Sequence, residues 1–242
     1  MLSKKEVKYI QSLSDKKNRD EEGVFIAEGP KLLDELLAAG LKAKTIYSTE
    51  NRAKTNIVAD EIKKIDATEL QRISHFEKAT QTLGIFYKKA LPPYQLQHQV
   101  SLVLDGIQDP GNLGTIIRTA DWFGIAQIFA SPDTADCYNN KVVQGTMGSI
   151  ARVSVYYLDL PLFLQEAKMP VLGALLKGEN MYKTKPVREG LIVIGNESKG
   201  IRAEVLPFIQ QAVTIPRIGG AESLNAAVAT GILLSHLVIS LQ

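Results

Sequence analysis

Three short stretches hold the residue types that catalysis or anion binding needs. Asp109-Pro-Gly-Asn112-Leu-Gly-Thr-Ile-Ile-Arg118 reads as a turn feeding a helix. The free N–H groups at a helix start, with the helix dipole, favour an anion there. Arg118 adds a permanent positive charge further along; the plainer reading is an Asp-Pro helix start with a surface arginine. Gly195-Asn-Glu197-Ser-Lys-Gly200 follows the apolar run Leu191–Ile194, so a backbone free to approach a ligand closely stands beside a carboxylate. A polar surface loop is the alternative. In Ile215-Pro-Arg-Ile-Gly-Gly-Ala-Glu-Ser223-Leu-Asn225, a Pro and two glycines shape a tight loop and Ser223 is placed to cap a helix. Asn225 then falls just inside an apolar helix, where a buried amide needs partners.

In open α/β sheets ligands bind beyond the carboxyl ends of the strands, so strands must stand before these loops. Val100–Leu104, Leu191–Ile194 and Ala212–Ile215 fill that role, with Ile125–Ala130, Arg152–Tyr157 and Val171–Leu176 as further strands. Helical segments fall between them, around Ile116–Phe123 with Gly124 as a stop, at Asn139–Thr146 and at Leu160–Ala167. Strands joined by helices predict a mainly parallel sheet covered on both faces. Beyond Glu222 no Asp, Glu, Lys or Arg appears through Gln242, so the last helix is apolar on nearly every side and something must surround it.

Upstream, residues 3–14 read as a helix. Val24–Ala27, Lys44–Ser48, Glu61–Ile65 and Leu83–Lys88 read as strands of a small α/β unit, with helices at Leu32–Leu37 and Thr68–Ile73. Lys88–Gln99 (KKALPPYQLQHQ) has the composition of a linker. The expected domains are therefore 1–92 and 100–242, with 93–99 joining them.

The net charge of +2 does not by itself imply nucleic acid. Residues 1–95 carry 17 Lys and Arg against 14 Asp and Glu, and the rest of the chain carries 11 against 12. Lys16, Lys17 and Arg19 lie in the densest basic stretch, which reads as a solvated helix face or a polyanion-binding edge. The single cysteine, Cys137, and three scattered histidines leave no disulfide framework and no metal-ligand spacing. Phosphate-loop, dinucleotide-fold and nucleophile-elbow motifs are missing. MLSKKEVKYIQ has no long apolar core of a secretory signal, which predicts a cytoplasmic protein.

Taken together the three loops resemble the motifs of the SpoU (TrmH) family of RNA ribose 2′-O-methyltransferases in the SPOUT superfamily. The matching residues are Asp109-Pro-x-Asn112-x-Gly-x-x-x-Arg118, Ile194-Gly-Asn-Glu197-x-x-Gly200 and Ile215-Pro-x-x-Gly-x-x-x-Ser223-Leu-Asn225. Phe25-Ile-Ala-Glu-Gly-Pro-Lys31 looks like the family's L30e-like substrate-binding domain. The resemblance implies an α/β parallel-sheet domain with a deep trefoil knot, and a homodimer built on the last helix. It also implies S-adenosylmethionine held by Gly195, Ile215 and Leu224, with Leu175 a further contact. Asn112, Arg118, Glu197, Ser223 and Asn225 match the functional polar positions, and Lys16, Lys17 and Arg19 fall where the family binds RNA. Arg217 departs from the apolar residue usual there, and Ala226-Ala227 from the usual Val-Ser. The competing readings are a non-catalytic RNA-binding module and a membrane anchor. Against the anchor, residues 223–242 include Ser223, Asn225, Thr230, Ser235, His236 and Ser240 and lack flanking basic residues.

Overall fold

The computed structural model describes residues 1–50 and 58–238. By packing, the chain forms two compact units, Met1–Ala90 with Asp136–Ala151, and Leu91–Ala135 with Arg152–Gln242.

The chain begins with α1 (Lys4–Ser12), opened by a reciprocal cap in which Ser3 and Glu6 satisfy each other's backbone N–H. It buries Val7 and Ile10. Next comes α2 (Lys16–Glu22), a helix that apolar periodicity could not reveal because KKNRDEE has no apolar side chain. Asp15 caps it, Gly23 ends it in the left-handed conformation, and its one buried residue is Arg19. Strand β1 (Val24–Glu28) is buried throughout and leads into α3 (Pro30–Ala38), which covers the sheet with Leu32, Leu33 and Leu36. Strands β2 (Ala43–Ser48) and β3 (Ala59–Lys64), helix α4 (Ala67–Ile73) and strand β4 (Thr82–Tyr87) complete this part. The sheet order is β1-β4-β2-β3, antiparallel except for the parallel β2–β3 pair.

Residues 88–99 contain no helix or strand, as their composition implies, but they are tied down, first by the Lys88 N–H, which donates to the Gly23 carbonyl at 2.8 Å. Tyr156 donates to the Pro92 carbonyl at 2.8 Å, and the Gln127 amide exchanges hydrogen bonds with the Gln95 backbone. Tyr94 sets its ring edge-on to Phe129, Tyr156 and Phe163.

The second unit starts with β5 (Val100–Asp105), α5 (Pro110–Trp122) and β6 (Gln127–Ala130). The chain then gives α6 (Asn140–Thr146) to the first unit, where it packs on β1. Back in the second unit follow β7 (Ser154–Tyr157), α7 (Leu160–Ala167), β8 (Val171–Asn180), β9 (Gly190–Gly195), β10 (Gln211–Thr214) and α8 (Ala226–Leu237). All six strands run parallel in the order β10-β8-β9-β5-β6-β7. The predicted sheet is therefore present. The loops after β5, β9 and β10 carry the three candidate motifs, and β5 and β9 are neighbours. Strand β8 runs past the predicted end at Leu176, because its second half is polar and carries no apolar signal.

The last helix begins at Ala226 with Asn225, not Ser223, as its cap. It buries Thr230, Leu233, Leu234 and Leu237 and packs on α5, while Val228 on another side is 52% exposed. The helix ends at Leu237; the part of the expectation at 239–242 lies outside the described residues. Among the described residues no helix is long and apolar enough to cross a membrane.

Arg19 corrects the expectation of a surface cation. It is 2% exposed, donates to the carbonyls of Leu13 and Ser14, and pairs with Asp136 at 2.6 Å. Removing one member of a buried ion pair strands the other charge. Arg19→Ala is expected to cost about 3 kcal/mol in urea denaturation. Removal of the exposed Lys16–Asp20 pair by Lys16→Ala is expected to cost under about 1 kcal/mol.

Candidate active site

The site is built from the first turns of α5 and α8 and the loop after β9. Asp109 caps α5 by accepting from the Asn112 N–H at 2.8 Å, which places the Asn112 side chain at the helix mouth. Its Nδ2 donates to Glu197 Oε1 in a short hydrogen bond, and its Oδ1 accepts from Asn225 Nδ2 at 2.7 Å. Asn225 Oδ1 in turn accepts from the N–H groups of Ala227 and Val228 at 3.0 and 3.2 Å. One relay of amides therefore joins all three motifs. It settles how Asn225 is satisfied: the side chain is the cap itself, at the helix start and exposed.

Beside the relay lies a cavity of about 750 Å³ lined by all four predicted cofactor residues, Leu175, Gly195, Ile215 and Leu224. Glu197 and Ser223 also line it. That volume suits a drug-sized ligand, and its lining surface is largely apolar with polar side chains among it. Among the described residues no backbone-to-backbone hydrogen bond joins Ile215–Leu224 to the rest of the chain. The Arg217 guanidinium donates to the Ala221 carbonyl and draws the loop into a turn. Unpaired N–H and C=O groups on such a wall are available to a ligand.

Gly195 has a different reason to be glycine than closeness to a ligand. A Cβ there would stand 2.4 Å from the Gly200 carbonyl carbon, because the loop folds back and pairs Asn196 with Gly200. The loop is also fastened from outside. Asn196 Nδ2 donates to the Gly106 carbonyl at 2.8 Å, and Arg202 donates twice to the fully buried Asp105. Burial works against the Arg202 charge, yet the hydrogen bond to Asp105 and the nearby Asp133 and Glu204 carboxylates raise its pKa above the usual value. Arg202 and the anchoring role of Asp105 escaped the sequence reading, and Asn196 entered it only as part of the loop motif, with no role of its own. A charged residue at the end of a strand that is otherwise uncharged and largely apolar was the available signal for Asp105.

Arg118 is not drawn into this cluster. It lies on the exposed side of α5, does not line the cavity and has no ion pair among the described residues. Lys16 and Lys17 are exposed, each pairing with an acidic residue one turn on in α2. Among the described residues no His, Cys, Asp and Glu group is placed to hold a metal ion.

Loops at the carboxyl ends of parallel strands, converging on a largely apolar cavity with polar side chains in its lining, are the layout of an α/β enzyme with an organic ligand. The chain belongs to the SpoU rRNA methylase family, whose profile matches residues 99–235. Residues 4–84 match the MRM3-like substrate-binding domain. The 23S rRNA (guanosine(2553)-2′-O)-methyltransferase RlmP of Bacillus subtilis is 31% identical over 96% of this chain and 95% of its own length. The AdoMet-bound rRNA methyltransferase of Sinorhizobium meliloti is 30% identical, covering 98% of this chain and 95% of that one, with a TM-score of 0.86. A TrmH-family structure from Porphyromonas gingivalis is 35% identical, covers 98% of both chains and has a TM-score of 0.87.

Asn225→Ala is expected to lower stability by about 1 kcal/mol in urea denaturation, as loss of a helix cap does, while Ser223→Ala changes it by less than about 0.5 kcal/mol. Equal effects would return the cap to Ser223.

Proposed function

We propose that this protein transfers a methyl group from S-adenosylmethionine to a ribose 2′-hydroxyl of ribosomal RNA. The observation that carries this reading is the amide relay from Asn112 to Glu197 and Asn225 at the edge of the 750 Å³ cavity. Family membership and the activity of the RlmP relative support the reaction and the substrate class. A non-catalytic RNA-binding module would need neither the cavity nor the relay.

Gly195, Ile215, Leu224 and Leu175 would hold the cofactor, largely through the unpaired backbone of the loop after β10. When bound, the cofactor supplies an electrophilic methyl on a sulfonium. The task left to the chain is to orient a weakly acidic hydroxyl and stabilise its developing negative charge. Arg118 and the α5 N-terminus, both on one helix, supply positive potential for the neighbouring phosphate and for that charge. A guanidinium stays protonated in proteins, so Arg118 acts as an electrostatic group and not as the base. Glu197 is the carboxylate nearest the relay and is the candidate proton acceptor, while Asn112, Asn225 and Ser223 orient the loops and the ribose.

The assembly is read as a homodimer. Val228 on α8 and Trp122 on α5, 85% exposed, are large apolar side chains left open on two helices that pack together. The resemblance carries a trefoil knot. In support, the last turn of α8 lies beside the β8–β9 connection: the Val187 N–H donates to the Leu237 carbonyl, and His236 Nε2 meets the Thr184 carbonyl at 3.0 Å. Residues 1–92 are assigned to RNA binding as an L30e-like domain, 93–99 to the linker and 100–242 to catalysis and dimerisation. A cytoplasmic location is part of the same proposal.

Arg118→Ala is expected to abolish methyl transfer to rRNA while calorimetric titration still detects S-adenosylmethionine binding; loss of both together would overturn the division of roles. Mapping 2′-O-methylation in total RNA from a deletion strain tests the substrate, and a missing mark in transfer RNA alone would redirect it. With Arg19 buried, the basic-edge reading rests on Lys16 and Lys17. Their double alanine variant is expected to reduce the slope of log affinity against log salt by one to two, and an unchanged slope would assign RNA binding elsewhere.

A further inference from the structure

The loop that carries Glu197 is fastened at both ends to one point, the Asp105-Gly106 step where β5 stops. At its front, Asn196 Nδ2 donates to the Gly106 carbonyl at 2.8 Å, and Asn196 Oδ1 accepts from the N–H groups of Ser198 and Lys199. At its rear, the Arg202 backbone N–H donates to Asp105 Oδ2 at 2.7 Å and Arg202 Nε donates to Oδ1 at 2.6 Å. Asp105 is completely buried and the Arg202 side chain is 35% exposed. Asp133 and Glu204 stand 3.7 and 3.6 Å from the same guanidinium.

A buried carboxylate is costly unless it is paired and hydrogen-bonded. The remaining five residues of β5 are Val, Ser, Leu, Val and Leu, so packing alone does not call for a charge at its end. What the pair does is fix where the polypeptide re-enters the core. Ile201, between the loop and Arg202, is 6% exposed and packs in the same core cluster as Val103 and Val193. From Gly195 to Ile201 every residue lines the cavity, and Glu197 receives the Asn112 amide. A loop held only by its own internal turn would leave both of these placements free to drift.

We infer that Arg202, acting through Asp105, is a positioning residue for methyl transfer: it holds residues 195–201 where they form the cavity wall and present Glu197 to Asn112. The inference rests on the proposed methyltransferase reading. Misplacement of a site by about 1 Å costs up to ~100-fold in rate, which sets the scale.

The test uses full-length Arg202→Ala and Arg202→Lys, with calorimetric S-adenosylmethionine titration, steady-state methylation of rRNA, and amide hydrogen exchange. Arg202→Ala is expected to bind S-adenosylmethionine about tenfold or more weakly while the KM for RNA stays within about twofold. Exchange should quicken at 196–201 and remain unchanged in β6 and β7. Arg202→Lys, which keeps the charge and loses the planar donor fork, should fall between. Wild-type affinity and exchange in folded Arg202→Ala would overturn the inference, as would acceleration spread through the whole sheet, which would make Arg202 a residue of the fold alone. Should Arg202→Ala not fold, Arg202→Lys decides: an intermediate affinity with local loosening supports the inference, and wild-type behaviour overturns it. A wild-type protein that neither binds S-adenosylmethionine nor methylates rRNA would fail the methyltransferase reading, and with it the catalytic role of the clasp. Wild-type activity beside unaffected Arg202 variants would fail the inference alone.

Discussion

The site depends on a side chain that both donates and accepts. Asn112 gives its N–H to Glu197 and takes one from Asn225 on its carbonyl, while Asn225 uses its own carbonyl on the amides opening α8. Each bond in this chain has a direction, from the positive end of a helix toward a carboxylate. A carboxyl side chain at position 112 would remove the donor and face Glu197 with a like charge. A hydroxyl would reach fewer partners. An amide meets both demands with donor and acceptor on separate atoms, so the order of polar types across three loops is a single requirement.

That requirement can be met because the loops leave adjacent parallel strands. Strands β5 and β9 pair residue by residue from Val100 and Gly190 to Asp105 and Gly195, so their carboxyl ends finish level. The loop after β9 therefore starts beside the turn that opens α5. The third loop comes from β10, three strands away from β5 with β9 and β8 between them, and must cross the cavity to bring Asn225 to Asn112. The crossing segment has unpaired backbone because it bridges strand ends instead of extending one. Its exposed chemistry follows from its path.

Much of this layout was readable in the residues, for a physical reason. Parallel strands are buried on both faces and appear as unbroken apolar runs, so Val100–Leu104 and Leu191–Ile194 stood out, with the polar loops at their ends. Other features left no local trace. Helix α2 has no apolar stripe, and its anchor is a buried arginine that composition reads as a surface charge. Ser223 and Asn225 are both good caps, and the choice is made by the path of the loop, which keeps Ser223 at the cavity. The clasp between Asp105 and Arg202 joins residues 97 apart, a separation that no pattern within a loop encodes. Nor could the sequence assign residues 136–151 to the first unit, since that depends on what α6 meets after a complete excursion of the chain.

Arg118 and the last helix pose one question between them. An apolar helix must be surrounded, and α8 meets that demand on one side with α5, β9 and residues 181–183. The side bearing Val228 stays open, as does Trp122 on α5. Arg118 lies on α5 one turn before Trp122, is exposed, and is not among the residues that line the cavity. The arginine proposed to serve the reaction stands outside the cavity lining of its own chain, on a helix with uncovered apolar surface. If α5 and α8 pack against the same helices of a second copy, as the proposed homodimer would have it, Trp122 and Val228 are buried in one event. In the proposed homodimer the apolar character of the last helix and the exposure of Trp122 would have a common cause, since association would cover both surfaces.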